Sequence, residues 1–199
     1  MKKGRLLLTA LWIFLGLFPI PVSAGGQHEK GGNPPSIVLP VPENDGQKAY
    51  LGISGGKTFT LTDIKAKVLI VEIFSMYCPH CQVEAPVVNR LYRKIEARPQ
   101  LKQNIRVIGI GVGNTAFEVN TFREKFAIPF PLFPDPDFKV YSDLGKVRTP
   151  FFIGIKRESN GTERIFLTQL GGFGSEDEFL DRITQESGLN DSMKDGEGR

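Results

Sequence analysis

Two cysteines separated by only two residues constrain this chain more than any other feature. They stand in the segment Cys78-Pro79-His80-Cys81, and the 199 residues contain no other cysteine. A disulfide stabilises a fold mainly by closing a loop of the unfolded chain, and its effect grows with the length of that loop. A bridge across two residues would stabilise little, so the spacing predicts a pair kept for its reactivity.

The cysteine pair lies between a predicted strand and a predicted helix. Residues 68–74 form a short β-branched run interrupted only by Glu72, which is typical of a strand buried on both faces. After Pro79, apolar residues recur at every fourth position and predict a helix. The recurring residues are Val83, Val87, Leu91 and Ile95. Cys78 therefore stands where this helix begins.

The position of Cys78 predicts that it is the attacking nucleophile. Unpaired backbone N–H groups and the helix dipole stabilise a thiolate at a helix N-terminus. Cys81, one turn further along and more enclosed, is predicted to attack the mixed disulfide and release the partner. Pro79 and His80, between the two cysteines, are expected to tune the Cys78 pKa.

The remaining patterns predict one α/β domain over residues 48–187, in which helices flank a central mixed β-sheet. The domain begins with a β-hairpin extension within residues 50–61. Residues 128–137 are expected to form a proline-punctuated connection. The other predicted elements are a strand, a helix, a short helix, two strands and a helix, at residues 105–112, 117–126, 138–144, 151–155, 164–170 and 176–185.

The two ends of the chain are predicted to lie outside this domain. Residues 1–24 combine a basic head, an apolar run and the ending Val22-Ser23-Ala24, which is typical of an export signal cleaved after Ala24. An uncleaved anchor is the alternative, although the apolar run is short against the about 20 residues of a spanning helix. Residues 25–47 predict a flexible or extended leader, and residues 188–199 a disordered tail.

The segment from Glu72 to Cys81 resembles the active-site strand and helix of the thioredoxin superfamily, and it looks like that of the exported TlpA/ResA group. Thr149-Pro150 resembles the cis-proline loop that faces the redox pair in this superfamily. The resemblance covers roughly residues 47 to 187. It implies a thioredoxin-like fold and a thiol-disulfide oxidoreductase.

The resemblance also implies roles for two acidic residues. Glu72, six residues before Cys78, matches a buried acidic position and is expected to act as the general base that takes the proton from Cys81. The alternative for Glu72 is an acid at a strand edge that reaches water. Glu84 is expected on an exposed helix turn, either as a tuner of cysteine pKa or as solvated surface.

Three residues are expected to bind substrate by the same resemblance. The Thr149-Pro150 bond is expected to be cis and to lie against Cys78, so that the Thr149 backbone can pair with an extended substrate strand. Tyr77 is the third, and it stands where the superfamily usually has tryptophan before the first cysteine.

The residue types present exclude several other classes of site. A structural metal normally takes four ligands, and only His80 and His28 could join the two cysteines. Haem attachment needs His directly after the second cysteine, where Gln82 stands. No cofactor and no metal are therefore expected. Loss of residues 1–24 would leave 22 basic and 22 acidic residues, and no basic cluster predicts nucleic acid as a partner.

The sequence leaves two directions of electron flow open, reduction of the substrate and oxidation of the substrate. Pro79-His80 is the dipeptide of the DsbA oxidases, and a stabilised Cys78 thiolate makes the disulfide more oxidising. The connection between Asn114 and Thr149 is too short for the helical insertion of DsbA-like proteins, which favours a substrate-specific reductase. An oxidase or isomerase is the first alternative, and a redox-sensing or metal-delivery binding module is the second.

The expected partners are protein thiols or disulfides, together with a membrane or periplasmic electron donor or acceptor that the sequence does not identify. The expected location is the periplasm or the extracytoplasmic face of a bacterial membrane, because residues 1–24 predict export.

Overall fold

A five-stranded mixed sheet occupies the centre of the computed structural model, which describes residues 29–190. The predicted export signal lies outside the described residues. The strands are β1 (Val38–Pro40), β2 (Thr58–Thr60), β3 (Val68–Phe74), β4 (Ile105–Val112), β5 (Leu132–Asp135), β6 (Phe151–Arg157) and β7 (Glu163–Leu170). The helices are α1 (Asp45–Leu51), α2 (Pro79–Glu96), α3 (Pro99–Asn104), α4 (Ala116–Phe126), α5 (Lys139–Asp143) and α6 (Glu176–Ser187).

The central sheet has the strand order β5-β4-β3-β6-β7. β3 pairs in parallel with β4, and β4 with β5, whereas β6 is antiparallel to both β3 and β7. The carboxyl ends of β3, β4, β5 and β7 therefore meet at one edge of the sheet, where β6 begins. This mixed sheet, flanked by helices, confirms the predicted thioredoxin-like fold class.

Alternation of side chains along β3 separates the interior into two hydrophobic cores. All seven residues of this strand are buried. Val68, Ile70 and Phe74 pack in one core with residues of α2, α4 and α6. Leu69, Val71 and Ile73 pack in the other, with the N-terminal segment. Successive side chains of a strand point to opposite faces, so Glu72 belongs to the face that α2 covers.

The N-terminal segment differs from the prediction in two respects. The expected two-stranded extension is present, but its strands are β1 and β2, and the predicted first strand at residues 50–53 is replaced by the end of α1. The leader predicted to be flexible or extended over residues 25–47 contains β1 and the first residues of α1. Ile37 and Leu39 are buried in the second core, so their burial offsets the entropy of ordering this segment.

Two other boundaries also need correction. The connection at residues 128–137 contains β5, because Leu132 and Phe133 are buried and pair with β4 beside the sheet edge. The predicted tail begins too early, since Gly188 caps α6 and Leu189 is buried in the first core. Within residues 29–190, none of the helices has the length and apolar character needed to cross a membrane.

Candidate active site

Cys78 is the N-cap residue of α2, at the sheet edge where β3 ends. A turn closes before it, in which the Cys78 N–H donates to the Ser75 carbonyl at 3.0 Å. Pro79 occupies the first position of α2, where a missing N–H leaves no intrahelical bond unmade. The helix therefore begins directly at the cysteine, as the sequence predicts.

The Cys78 thiol is half-buried and lies against the loop that precedes β6. Its sulfur donates to the Thr149 carbonyl at 3.4 Å. Burial would raise the Cys78 pKa, but hydrogen bonds from the Thr149 side chain and from the backbone of Cys81 and His80 outweigh it, so the pKa is lowered. The thiolate of Cys78 is thus more available than that of an ordinary cysteine.

Cys81 has the opposite environment. It is fully buried on the inner face of α2, and this burial is the main cause that raises its pKa well above the usual value for a thiol. A neighbouring Cys78 thiolate raises the pKa further. Cys81 therefore stays protonated while Cys78 ionises, which is the asymmetry that an attacking thiol and a resolving thiol require.

The loop before β6 faces Cys78 and contains Thr149 and Pro150, which were predicted to bind substrate. The Thr149-Pro150 peptide bond is cis. The Pro150 carbonyl accepts a hydrogen bond from the Gly171 N–H at 2.8 Å, which ties this loop to the end of β7. The structure thus brings together Cys78 and Thr149, which are 71 residues apart in the chain.

Glu72 is a buried carboxyl group in the central strand. It is 2% exposed, and its Oε1 has no hydrogen-bond partner among the described residues. Burial, followed by repulsion from Glu84, raises its pKa to about 8. The alternative of an acid at a strand edge is wrong, because β3 has a neighbouring strand on each side.

Glu84 is buried, and the prediction of an exposed helix turn was wrong. It is 6% exposed, and its Oε1 accepts a hydrogen bond from the Phe173 N–H at 3.0 Å. A Cβ atom at Gly172 would lie 2.2 Å from Glu84 Oε2, so a larger residue there would require the Glu84 carboxyl group to shift. Burial raises the Glu84 pKa. Its position three residues after Cys81 places it on the same buried helix face.

The dipeptide between the cysteines and the residue before them lie at the surface. Pro79 and His80 are exposed, and the His80 backbone is one of the groups that lower the Cys78 pKa. Tyr77 is exposed next to Cys78, and its hydroxyl donates a hydrogen bond to the Glu118 carboxylate at the start of α4. Glu84 is not among the main groups that act on Cys78.

Two residues that position the backbone before Cys78 were not predicted from the sequence. The Met76 N–H donates to Asn114 Oδ1 at 2.8 Å, and the Met76 carbonyl accepts from Gln82 Nε2 at 2.8 Å. Asn114 and Gln82 thus hold the peptide groups just before Cys78 from two sides. The signal for Asn114 was its place at the carboxyl end of β4, beside the end of β3 in a parallel pair.

The described residues contain no group of three or more His, Cys, Asp or Glu side chains arranged to hold a metal ion. Comparison with known protein families gives a match to the AhpC/TSA family over residues 40–167, which is more than half of the chain. The chain belongs to the AhpC/TSA family. The matched span of this family member includes both cysteines and the Thr149-Pro150 loop.

Curated relatives of this AhpC/TSA family member carry the name thiol-disulfide oxidoreductase ResA. The protein from Geobacillus thermodenitrificans is 27% identical over 115 residues, which are 57% of this chain and 61% of that protein. The chain thus spans about three-fifths of that relative in the match. The ResA protein of Bacillus cereus strain ZK is 26% identical over 162 residues, or 77% of this chain and 84% of that protein.

Solved structures show the same fold at lower identity. The thioredoxin domain of a thiol-disulfide oxidoreductase from Bacteroides vulgatus superposes with a TM-score of 0.58 at 15% identity. The superposition covers 78% of this chain and 98% of that domain. The AhpC/TSA family member therefore has a thioredoxin-like fold.

Proposed function

We propose that this chain is a thiol-disulfide oxidoreductase that exchanges the Cys78-Cys81 dithiol or disulfide with protein substrates outside the cytoplasm. The observation that carries the proposal is the opposite displacement of the two thiol pKa values, lowered at Cys78 and raised at Cys81. A structural cysteine pair needs no such difference, whereas two-step exchange uses it. The names of the curated relatives support the same activity.

In the reductase direction, the reaction begins with attack by the Cys78 thiolate on one sulfur of a substrate disulfide. The substrate's other sulfur leaves as a thiolate and takes up a proton. Cys81 then loses its proton and attacks the Cys78 sulfur, which breaks the mixed disulfide and releases the second substrate thiol. The substrate gains two electrons, and the protein is left with a Cys78-Cys81 disulfide.

Glu72 is the proposed acceptor for the Cys81 proton. It lies on the sheet face that α2 covers, and its buried Oε1 has no partner among the described residues. With a pKa of about 8, Glu72 accepts the Cys81 proton through its ionised fraction, which grows as pH rises toward 8, and releases the proton afterwards. Glu84 acts on this step indirectly, since its charge helps to raise the Glu72 pKa.

Substrate is proposed to bind along the Thr149-Pro150 loop and beside Tyr77. The Thr149 carbonyl lies 3.4 Å from the Cys78 sulfur, so a chain that pairs with this backbone would bring its own sulfur close to the nucleophile. Tyr77 directly precedes Cys78 in the chain and is exposed.

The favoured direction is reduction of the substrate. Between Asn114 and Thr149 the chain holds only α4, β5 and α5, which leaves no room for the helical insertion of DsbA-like oxidases. The lowered Cys78 pKa favours the reduced protein and supports an oxidase as the second candidate. Equilibration with glutathione buffers separates them, because a reductase requires a more negative potential than the glutathione couple.

The extracytoplasmic location rests on the sequence of residues 1–24, which combines a basic head, an apolar run and a small-residue ending. A membrane or periplasmic electron donor or acceptor would then return the Cys78-Cys81 pair to its starting state. Mass spectrometry of the exported chain should find Gly25 at its N-terminus. Recovery of residues 1–24 in the membrane fraction would show an anchor instead.

The two-cysteine mechanism is tested by replacing each cysteine in turn. Cys81→Ser should accumulate mixed disulfides with substrate proteins, because attack survives and resolution does not. Cys78→Ser should lose exchange altogether. Non-reducing electrophoresis and mass spectrometry of the trapped species provide the measurement. Full turnover by Cys81→Ser with insulin as substrate would refute the mechanism.

A further inference from the structure

The exposed apolar side chains are concentrated at one end of the molecule. Among the described residues, six large hydrophobic side chains are exposed, and they are Val38, Tyr77, Val83, Phe117, Phe138 and Leu170. Four of the six, namely Tyr77, Phe117, Phe138 and Leu170, end or follow strands at the edge of the sheet where Cys78 stands, and Val83 is exposed on α2 five residues after Cys78. Scattered single apolar residues are ordinary on a protein surface, but a group around a reactive sulfur marks an interaction site.

The topology explains why these residues meet. Tyr77 follows β3, Phe117 opens α4 after β4, and Phe138 follows β5. Because these three strands are parallel and adjacent, the three aromatic residues form a row that leads away from Cys78. Leu170 ends β7 on the opposite side, next to the Thr149-Pro150 loop. We call Tyr77, Phe117 and Phe138 the aromatic row.

Tyr77 is exposed but is held in place. Its hydroxyl donates to Oε1 of Glu118, whose other oxygen accepts from the Thr115 N–H at 2.7 Å and the Thr115 hydroxyl at 2.9 Å. Thr115 and Glu118 form the capping box that begins α4, the helix that carries Phe117. Tyr77 is thus fixed to the helix terminus that presents the next ring, at little further entropy cost on binding.

Phe138 is held in an unusual backbone conformation. Its φ of 56° is in the left-handed region, which aromatic residues seldom adopt. Its ring lies over Gly113 after β4, since a Cβ there would be 2.4 Å from Phe138 Cζ. Tyr141 supports the ring edge-on at 5.8 Å between centroids. Backbone strain of this kind persists where the surrounding structure requires it, often at binding sites.

We propose that the aromatic row binds apolar side chains of an extended segment of the substrate polypeptide, next to the cysteine that Cys78 attacks. This inference rests on the proposed function. Neighbouring strands lie about 4.8 Å apart, so the row from β3 to β5 covers about 10 Å, or about three residues of extended chain. The protein would therefore prefer disulfides whose cysteines have apolar residues within about three positions.

A polypeptide is the occupant that the geometry favours. The row starts at the residue before Cys78, so whatever covers it also passes the sulfur and must present a disulfide or thiol there. A small hydrophilic disulfide reaches the sulfur but leaves Phe117 and Phe138 uncovered. A second copy of this chain bound to the aromatic row would cover the Cys78 of the first copy and prevent its exchange with substrate.

The test measures the reaction of the reduced protein with two peptides of equal charge. Each has one cysteine in a disulfide with thionitrobenzoate, flanked on both sides by three residues that are Leu and Phe in one peptide and Ser and Gln in the other. Each rate constant is divided by that of the same protein with the symmetric thionitrobenzoate disulfide. We expect the wild type to favour the apolar peptide about tenfold, a typical effect for a buried aromatic contact.

Phe117→Ser should reduce this preference about fivefold, and Phe117→Leu should keep most of it. Val38→Ser, which removes an exposed apolar side chain of β1 that is not part of the aromatic row, is the matched control and should keep the full preference. Equal rates for the two peptides, or an unchanged preference in Phe117→Ser, would overturn the inference. A wild-type dimer in sedimentation that the Phe117→Ser substitution dissociates would also overturn the inference, because a second copy would then occupy the row. Failure of every disulfide to react would refute the proposed function itself.

Discussion

Cys78 and Cys81 are only three positions apart, yet their surroundings displace their pKa values in opposite directions. The cause is the position of each residue on α2. Cys78 caps its exposed end and meets polar groups, whereas Cys81 points one turn down into the first core. At this scale the chemistry depends on which face of α2 a residue occupies, and the same face carries Glu84 to the interior.

The Glu72 carboxyl group makes a prediction about stability and pH. Its folded pKa of about 8 lies above the value near 4.5 of a solvated glutamate, so the folded state holds a proton that the unfolded state releases. The contribution of Glu72 to the free energy of unfolding is therefore fully present below about pH 4.5 and is lost as pH rises through about 8. The Glu72→Gln variant has no such pH-dependent contribution, because an amide does not titrate.

Relative to the wild type, Glu72→Gln should gain stability on the order of 3 kcal/mol between pH 5 and pH 9. Urea unfolding at the two pH values measures the change, and Glu124→Gln, at an exposed position on α4, is the control. In exchange assays, Glu72→Gln should also slow the resolution step. A stability difference independent of pH would mean that Glu72 titrates like a solvated acid.

At the scale of elements, the segment before Cys78 depends on two side chains from its neighbours. Asn114→Ala should leave the Met76 N–H without its acceptor and lower the free energy of unfolding by about 1–3 kcal/mol. Because this segment sets the position of Cys78, the thiol pKa should also rise toward its ordinary value. Thermal unfolding and the pH dependence of iodoacetamide alkylation give the two readouts. Asn120→Ala, exposed on α4, should change neither, and equal losses in both variants would contradict the role.

Several strands and helices were predictable from the sequence. The strands at 68–74 and 105–112 have the predicted bounds, because both are continuous apolar runs that only a buried strand explains. β5 was missed because it has only four residues, Pro131 precedes it, Pro134 lies within it, and it pairs only with β4 at the edge of the sheet. Glu84 was placed at the surface because its partner, the Phe173 N–H, comes from a loop 89 residues away.

At the scale of the whole molecule, the N-terminal segment is part of the fold rather than an appendage. Leu39 in β1 is buried in the second core, while its neighbour Val38 is exposed. Leu39→Ala should lower the free energy of unfolding by about 2–5 kcal/mol, whereas Val38→Ala should stay within about 0.5 kcal/mol of the wild type. Chemical denaturation of both variants measures the difference. Similar small losses would restore the leader interpretation.

A residue that lowers the Cys78 pKa lies late in the chain. It is Thr149, which follows Cys78 by 71 residues. A chain that is synthesised from its N-terminus presents the cysteine pair before Thr149 has been made. Until β6 joins β3, Cys78 lacks the Thr149 contact that lowers its pKa. We therefore expect full reactivity of Cys78 only once the sheet is complete, and fewer cross-links between emerging chains until then.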